Sequence, residues 1–415
     1  MKRAKTITKC TFWVLLIFSI VIFSGVIYLD TTIDNEYNIE NGEDLNINSV
    51  VPITAEIPGE KFSSANSRYA VGKEFDVSLK AFGIFPVSSA KVKVIDKLRV
   101  AVLGTPFGMK IYTKGVLISD ITDLVTVNGK VNPAKKAGLK VGDYIISVNG
   151  KKVYTNEDLG YIVENSGGER LRFEVMRGSN KIYFNFSAVC AKDSNQYKVG
   201  IWVKDSSAGI GTLTFYSPST NIICGLGHGV CDDQSKNLLK IEKGQIVTAQ
   251  IISVKKGELG AAGKLDGRFK YKSLGDIALN CEKGIYSNFT GDLEFTNLTE
   301  IALKQDIKEG DAQILCTIEG ETPKYYSCKV QIRNSNYNSS TQNMLITVTD
   351  SELLAKTGGI VQGMSGSPIL QNGKLVGAVT HVLLEDSTKG YAIFAENMLE
   401  TAQDVAKKTK LKDAS

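Results

Sequence analysis

From residue 195 onward, apolar and polar residues alternate in short bursts, and turns rich in glycine and asparagine separate them. A period of two belongs to a half-buried strand and cannot be accommodated on one face of a helix. "KVGIWV", "IGTLTFYS", "GQIVTAQIISV", "DAQILCTI", "YYSCKVQI", "NMLITVT" and "KLVGAVTHVLL" all read this way. Short strands at regular spacing predict a barrel or sandwich. Helices are expected only near Ser351–Lys356 and Asn397–Lys408. The 39 glycines against 8 prolines suit such a turn-rich chain.

The N-terminus sets the compartment. Lys2, Arg3, Lys5 and Lys9 precede an uncharged run over 10–29, the length of a bilayer-spanning helix. Asp30, Asp34, Glu36, Glu40, Glu43 and Asp44 follow it. This charge asymmetry predicts a cytoplasmic segment over 1–9, a signal anchor over 10–29, and everything beyond exported. A cleaved signal peptide is the alternative. Residues 30–68 are polar and acidic and read as a stalk, within a β-rich connecting segment that ends at 97. Net charge is +5 with no basic stripe, so no nucleic-acid partner is implied. Outside the anchor there are six cysteines, too few for a disulfide scaffold.

Residues 98–188 read as one unit. "KGVLISDI" is a strand. "NPAKKAGLKVGDYIISVNGKKV" contains a helical turn, a strand and an Asn149-Gly150 hairpin. Thr155 and Asp158 are spaced as a helix cap, and Leu159, Ile162 and Val163 share one face. The order of elements, and "AGLKVGDYIISVNG" above all, resembles a bacterial-type PDZ domain. That resemblance implies an extended peptide added at a sheet edge, with Gly115 and Val116 cradling its carboxylate. Self-association through the same unit is a further implication.

"GGIVQGMSGSPIL" (358–370) places Ser365 between glycine-rich turns. A serine hydroxyl needs a base to become a nucleophile, and histidine is the usual one. The chain has two, His228 in "CGLGHGVCD" and His381 in "LVGAVTHVLL". "GMSGSPILQNGKLVGAVT" resembles the trypsin-like and HtrA-like serine pattern. In that pattern the base lies on a first barrel, which selects His228, and the N–H groups of Gly363 and Ser365 form the oxyanion hole. His381 reads as a strand residue near the cleft. The orienting acid is open on residue grounds among Asp232, Asp233, Asp266, Asp276, Asp292, Asp306, Asp311 and Asp350. Chymotrypsin-like spacing favours Asp266 or Asp276. Asp350 itself reads as a helix N-cap.

The whole arrangement resembles the stage IV sporulation protein B family of endospore-forming bacteria. An N-terminal anchor, a PDZ unit, "GLGHGVCD" and "TDSELLAKTGGIVQGMSGSPIL" carry the likeness. It implies a mainly β chain whose residues 195–415 form a chymotrypsin-like double β-barrel peptidase. It also implies a triad of His228, Asp350 and Ser365, with no cofactor and no metal. The implied activity is self-cleavage, and cleavage of a membrane-bound regulator of an intramembrane metalloprotease. The chain would act in the space between forespore and mother cell, leading to activation of the late mother-cell sigma factor. Self-cleavage is expected in 45–75. Two rivals stand against this reading. Cys224, His228 and Cys231 have a spacing that could serve zinc, or the two thiols could bridge. The chain could instead be a non-enzymatic PDZ scaffold.

Overall fold

The computed structural model describes residues 33–413, apart from 48, 50, 58–59, 62–69, 233–235, 240, 293–294, 296 and 334–339. It also describes residues 13–14, 16–17, 19–20, 23–25 and 27–29, all of them helical. The expected span over 10–29 therefore lies partly outside the described residues. Among those described, no helix is long and apolar enough to cross a membrane.

The segment expected to be a stalk is in large part folded. Strands Glu36–Glu40, Ile53–Ile57, Glu60–Lys61, Glu74–Ala81 and Phe85–Ile95 form a five-stranded sheet. Tyr37, Ile39, Val77, Leu79, Val92 and Val94 bury its inner face. The polar composition of 30–68 misleads because the apolar partners of Tyr37 and Ile39 lie some fifty residues further on, in the parallel pairing of Glu36–Glu40 with Phe85–Ile95.

Two closed barrels follow. In the first, Pro106–Ile121, Ile201–Ser217, Ile222–Gly225, Gly284–Phe289, Lys264–Cys281 and Ile241–Lys255 pair in ring order, and the last returns to the first. Phe107, Met109, Ile111, Leu213, Ile223 and Ile246 fill it. The second barrel is made by Gly310–Cys316, Lys324–Ile332, Met344–Val348, Asp386–Phe394, Lys374–Leu383 and Pro368–Gln371. Ile314, Val330, Ile346, Met364 and Val379 are among its fully enclosed side chains. Helix Ala395–Asp413 packs Met398, Leu399 and Ala402 across the junction.

The PDZ unit sits between two barrel strands. Arg99–Val102 and the first half of Pro106–Ile121, read from sequence as part of that unit, pair in the barrel region instead. Two long strands, Pro106–Ile121 and Ile201–Ser217, run unbroken through both units as one antiparallel ribbon. Local signals in this unit work as read. The Thr155–Asp158 capping box is present. Asn149 and Gly150 both take positive φ, as a tight hairpin turn requires.

Candidate active site

His228 stands at the end of a strained turn. Leu226 has φ 69° and Gly227 φ 64°, two successive left-handed residues of which the first pays a steric cost. Asn280 holds the turn from outside. Its Oδ1 accepts from Val230 N (2.9 Å), and its Nδ2 donates to the carbonyls of Val230 (2.9 Å) and Leu239 (3.0 Å). His228 Nδ1 lies 2.9 Å from the Gly229 carbonyl. A carbonyl can only accept, so Nδ1 carries the proton and Nε2 keeps a lone pair. Burial lowers the basicity of the ring, and the Gly229 bond partly opposes this.

Ser365 lies in the loop between helix Ser351–Thr357 and strand Pro368–Gln371. Its hydroxyl donates to the Thr380 carbonyl at 2.8 Å. The N–H groups of Gly363 (φ 99°) and Ser365 donate to no acceptor among the described residues. Three bonds from one strand hold the loop. Thr212 N donates to the Ser365 carbonyl (3.0 Å), Thr212 Oγ1 to that of Gly363 (2.8 Å), and Thr214 Oγ1 to that of Gly366 (2.7 Å).

The two loops meet over Thr380–His381. A Cβ on Gly227 would lie 3.0 Å from Thr380 Cγ2. One on Gly366 would lie 2.4 Å from Leu226 N, so the loops approach closely only because glycine stands there. The rings of His228 and His381 are 4.6 Å apart, tilted by 35°. Desolvation of its inner face, and then the charge His228 would carry, lower His381 to about 4 although its outer edge is exposed.

The candidate acids and thiols have other hydrogen-bond and ion-pair partners. Asp350 caps helix Ser351–Thr357. Its Oδ1 accepts from Leu353 N (3.0 Å) and its Oδ2 from Ser327 N (3.2 Å). Asp266 pairs with Lys264 at the surface, and the exposed Asp276 accepts from Gln245. Cys224 and Cys231 are free thiols, the first buried on a strand and the second exposed, so the bridge weighed as an alternative is not formed. Among the described residues, no group of His, Cys, Asp and Glu is arranged to hold a metal.

Gly115 and Val116 lie in the stretch 113–116, where the register against Ile201–Ser217 shifts. Val116 pairs with Ile145 and is fully buried, and Leu117 pairs with Tyr144 on one side and Lys204 on the other. The outer strand is Ile201–Lys204, whose far edge pairs with no strand among the described residues. Just before it, Gly200 turns with φ 81°, and the N–H groups of Val199 and Gly200 find no acceptor among the described residues.

Residues 195–399 match the family SpoIVB peptidase S55, and residues 125–177 match the PDZ domain. The chain is a SpoIVB-like, PDZ-containing serine peptidase. As a serine endopeptidase it acts on protein. Among solved structures it is similar to Rv3671c from M. tuberculosis H37Rv in a serine-to-alanine inactive form. That match has 14% identity, covers 48% of this chain and 82% of that one, and has a TM-score of 0.24. A second inactive form of the Rv3671c protease matches with 14% identity, 47% and 84% coverage, and a TM-score of 0.23. No curated protein matches the chain.

Thr212, Thr214, Asn280 and Thr380 are site residues that the sequence reading passed over. The one trace of them is "GTLTF", where two threonines interrupt an apolar face at a spacing of two. Buried polar residues on one side of a strand need partners, and here the partners are loop carbonyls.

Proposed function

We propose that Ser365 is the nucleophile and His228 its base. The observation that carries this is the Nδ1–H bond to Gly229, which leaves Nε2 as the acceptor on a loop that closes against the serine loop. The serine hydroxyl first turns from the Thr380 carbonyl to Nε2. His228 takes its proton as Oγ attacks the scissile carbonyl. The oxyanion that forms is met by the N–H groups of Gly363 and Ser365, and one such donor is worth roughly 10²–10³ in turnover. His228 returns the proton to the leaving amine, and water releases the acyl group by the same route. Asp350 belongs to the site as a positioning residue: its cap fixes the helix that leads into 358–367.

The finer role follows the family resemblance. Residues 10–29 anchor the chain with its domains exported. The peptidase cleaves itself and a membrane-bound regulator of an intramembrane metalloprotease during sporulation. The PDZ unit docks an extended peptide with a free carboxylate on the edge Ile201–Lys204, where the unpaired N–H groups of Val199 and Gly200 receive the charge.

One observation favours a second reading, a non-enzymatic scaffold: the Ser365 proton is committed to a carbonyl and not to an imidazole. A fluorophosphonate probe separates the two. Labelling of wild type that is lost in Ser365→Ala supports the peptidase. A folded wild type that never labels supports the scaffold.

A further inference from the structure

The strand that offers the docking edge is the strand that holds the nucleophile loop. Ile201–Ser217 is one element. Its first residues pair with 117–121 inside the PDZ unit, and Ile201 and Val203 pack into the same apolar cluster as Leu159 and Val163 of helix Asn156–Glu164. Its last residues include Thr212 and Thr214, which carry the three bonds to Ser365, Gly363 and Gly366. No flexible linker separates the two ends. Between them, the register against Pro106–Ile121 shifts twice, at Trp202/Val203 and at Lys204/Ser206. Such irregularities bend and twist the strand locally, so a strand added alongside changes how its two ends are aligned.

We infer that a peptide docked on Ile201–Lys204 acts on Ser365 through this strand. By fixing the alignment of Ile201–Ser217 it moves Thr212 and Thr214, and with them the carbonyls of Gly363, Ser365 and Gly366. That releases the hydroxyl from Thr380 and sets the oxyanion donors. The peptidase is thus held unreactive until its PDZ edge is filled. This rests on the docking site proposed above, and it goes further by making that docking an activating event. Its energetic requirement is modest, because a coupled pair of sites needs only differential affinity for the two alignments.

The full-length protein is tested with short synthetic peptides, apolar at alternate positions and free at the C-terminal carboxylate. Binding is read by fluorescence anisotropy. Reactivity is read as the rate of fluorophosphonate labelling at Ser365. Bound peptide should accelerate labelling about tenfold or more in the wild type. A Thr212→Val, Thr214→Val double variant should bind equally and show no acceleration, and Thr212→Ser should behave as wild type. Hydrogen exchange at 212–214 and 363–367 should change on binding in the wild type, which keeps the test independent of how the variants fold. Binding with no change in rate or exchange, or equal acceleration in the double variant, overturns the coupling and leaves the docking site standing. No binding at all overturns the docking site, and the coupling with it.

Discussion

At the scale of single residues, the site depends on which atoms hold which protons. Ser365→Ala and His228→Ala should each abolish labelling and proteolysis. The double variant should be no worse than either, because the two act as a unit. Additive losses in kcat/KM would separate their roles. The pH dependence follows from the buried imidazole. Its basicity lies below the ordinary value of about 6.5. The base therefore stays neutral, and the acid limb of kcat/KM should fall below that value. The same lowering makes the unfolded chain bind the proton first. Stability from His228 and His381 should be complete above about pH 6.5 and be lost as pH falls from there toward their folded-state values, about 4 for His381. A pH–rate profile and thermal melts across that window check both. An acid limb above 6.5 would mean that His228 is charged more easily than its burial allows.

At the scale of elements, two positions tie local backbone to function. Asp350 caps a seven-residue helix through Oδ1, while its Oδ2 accepts from Ser327 N on a barrel strand. Asp350→Ala should cost about 1 kcal/mol of stability and slow labelling by loosening the loop that follows. Asparagine caps as well, so Asp350→Asn should keep most of the activity. If Asp350→Asn melts like wild type yet loses about 10⁴ in turnover, the carboxylate serves the His228 tautomer in the working enzyme. Gly115 is required by the backbone itself. Its φ is 83°, and a Cβ there would lie 2.4 Å from the Ile145 carbonyl. Gly115→Val should unfold the PDZ sheet, with strain alone costing roughly 1–3 kcal/mol. Circular dichroism melts show this directly. A stable variant with weakened peptide binding would restore Gly115 to the docking edge.

At the scale of the whole molecule, the N-terminal sheet is fastened to the peptidase. Asn38 Nδ2 donates to Glu396 Oε1 (2.6 Å), Gln305 Nε2 to the Asn38 carbonyl (2.6 Å), and Lys304 pairs with Asp34 (3.1 Å). Self-cleavage is proposed within 45–75. A cut in 62–69 leaves Glu36–Glu40 and Ile53–Ile57 on the N-terminal piece, where they still pair with Phe85–Ile95 and Glu74–Ala81. The two pieces should co-elute under native conditions and separate in guanidinium, and Ser365→Ala should stay whole. N-terminal sequencing locates the cut. Equal processing in Ser365→Ala would assign the cut to another protease.

Much of this was legible in the sequence because it is local. The alternation over 195–395 gives strands, "TNED" gives a capping box, Asn149-Gly150 gives a turn, and Asp350 before "SELLAK" gives a cap. Glycines around His228 and Ser365 mark the loops that must approach closely, and in the fold they do. Pairing partners far apart along the chain carry no such local mark. The sheet that absorbs residues 36–57 depends on 74–95, and the PDZ edge that covers Leu117 comes from Ile201–Lys204, some eighty residues later. The hold of Thr212 and Thr214 on a loop about 150 residues away is likewise decided only by barrel closure. Strand period is a property of neighbours in sequence; register, edges and the direction in which a hydroxyl points are set by what the rest of the chain brings alongside.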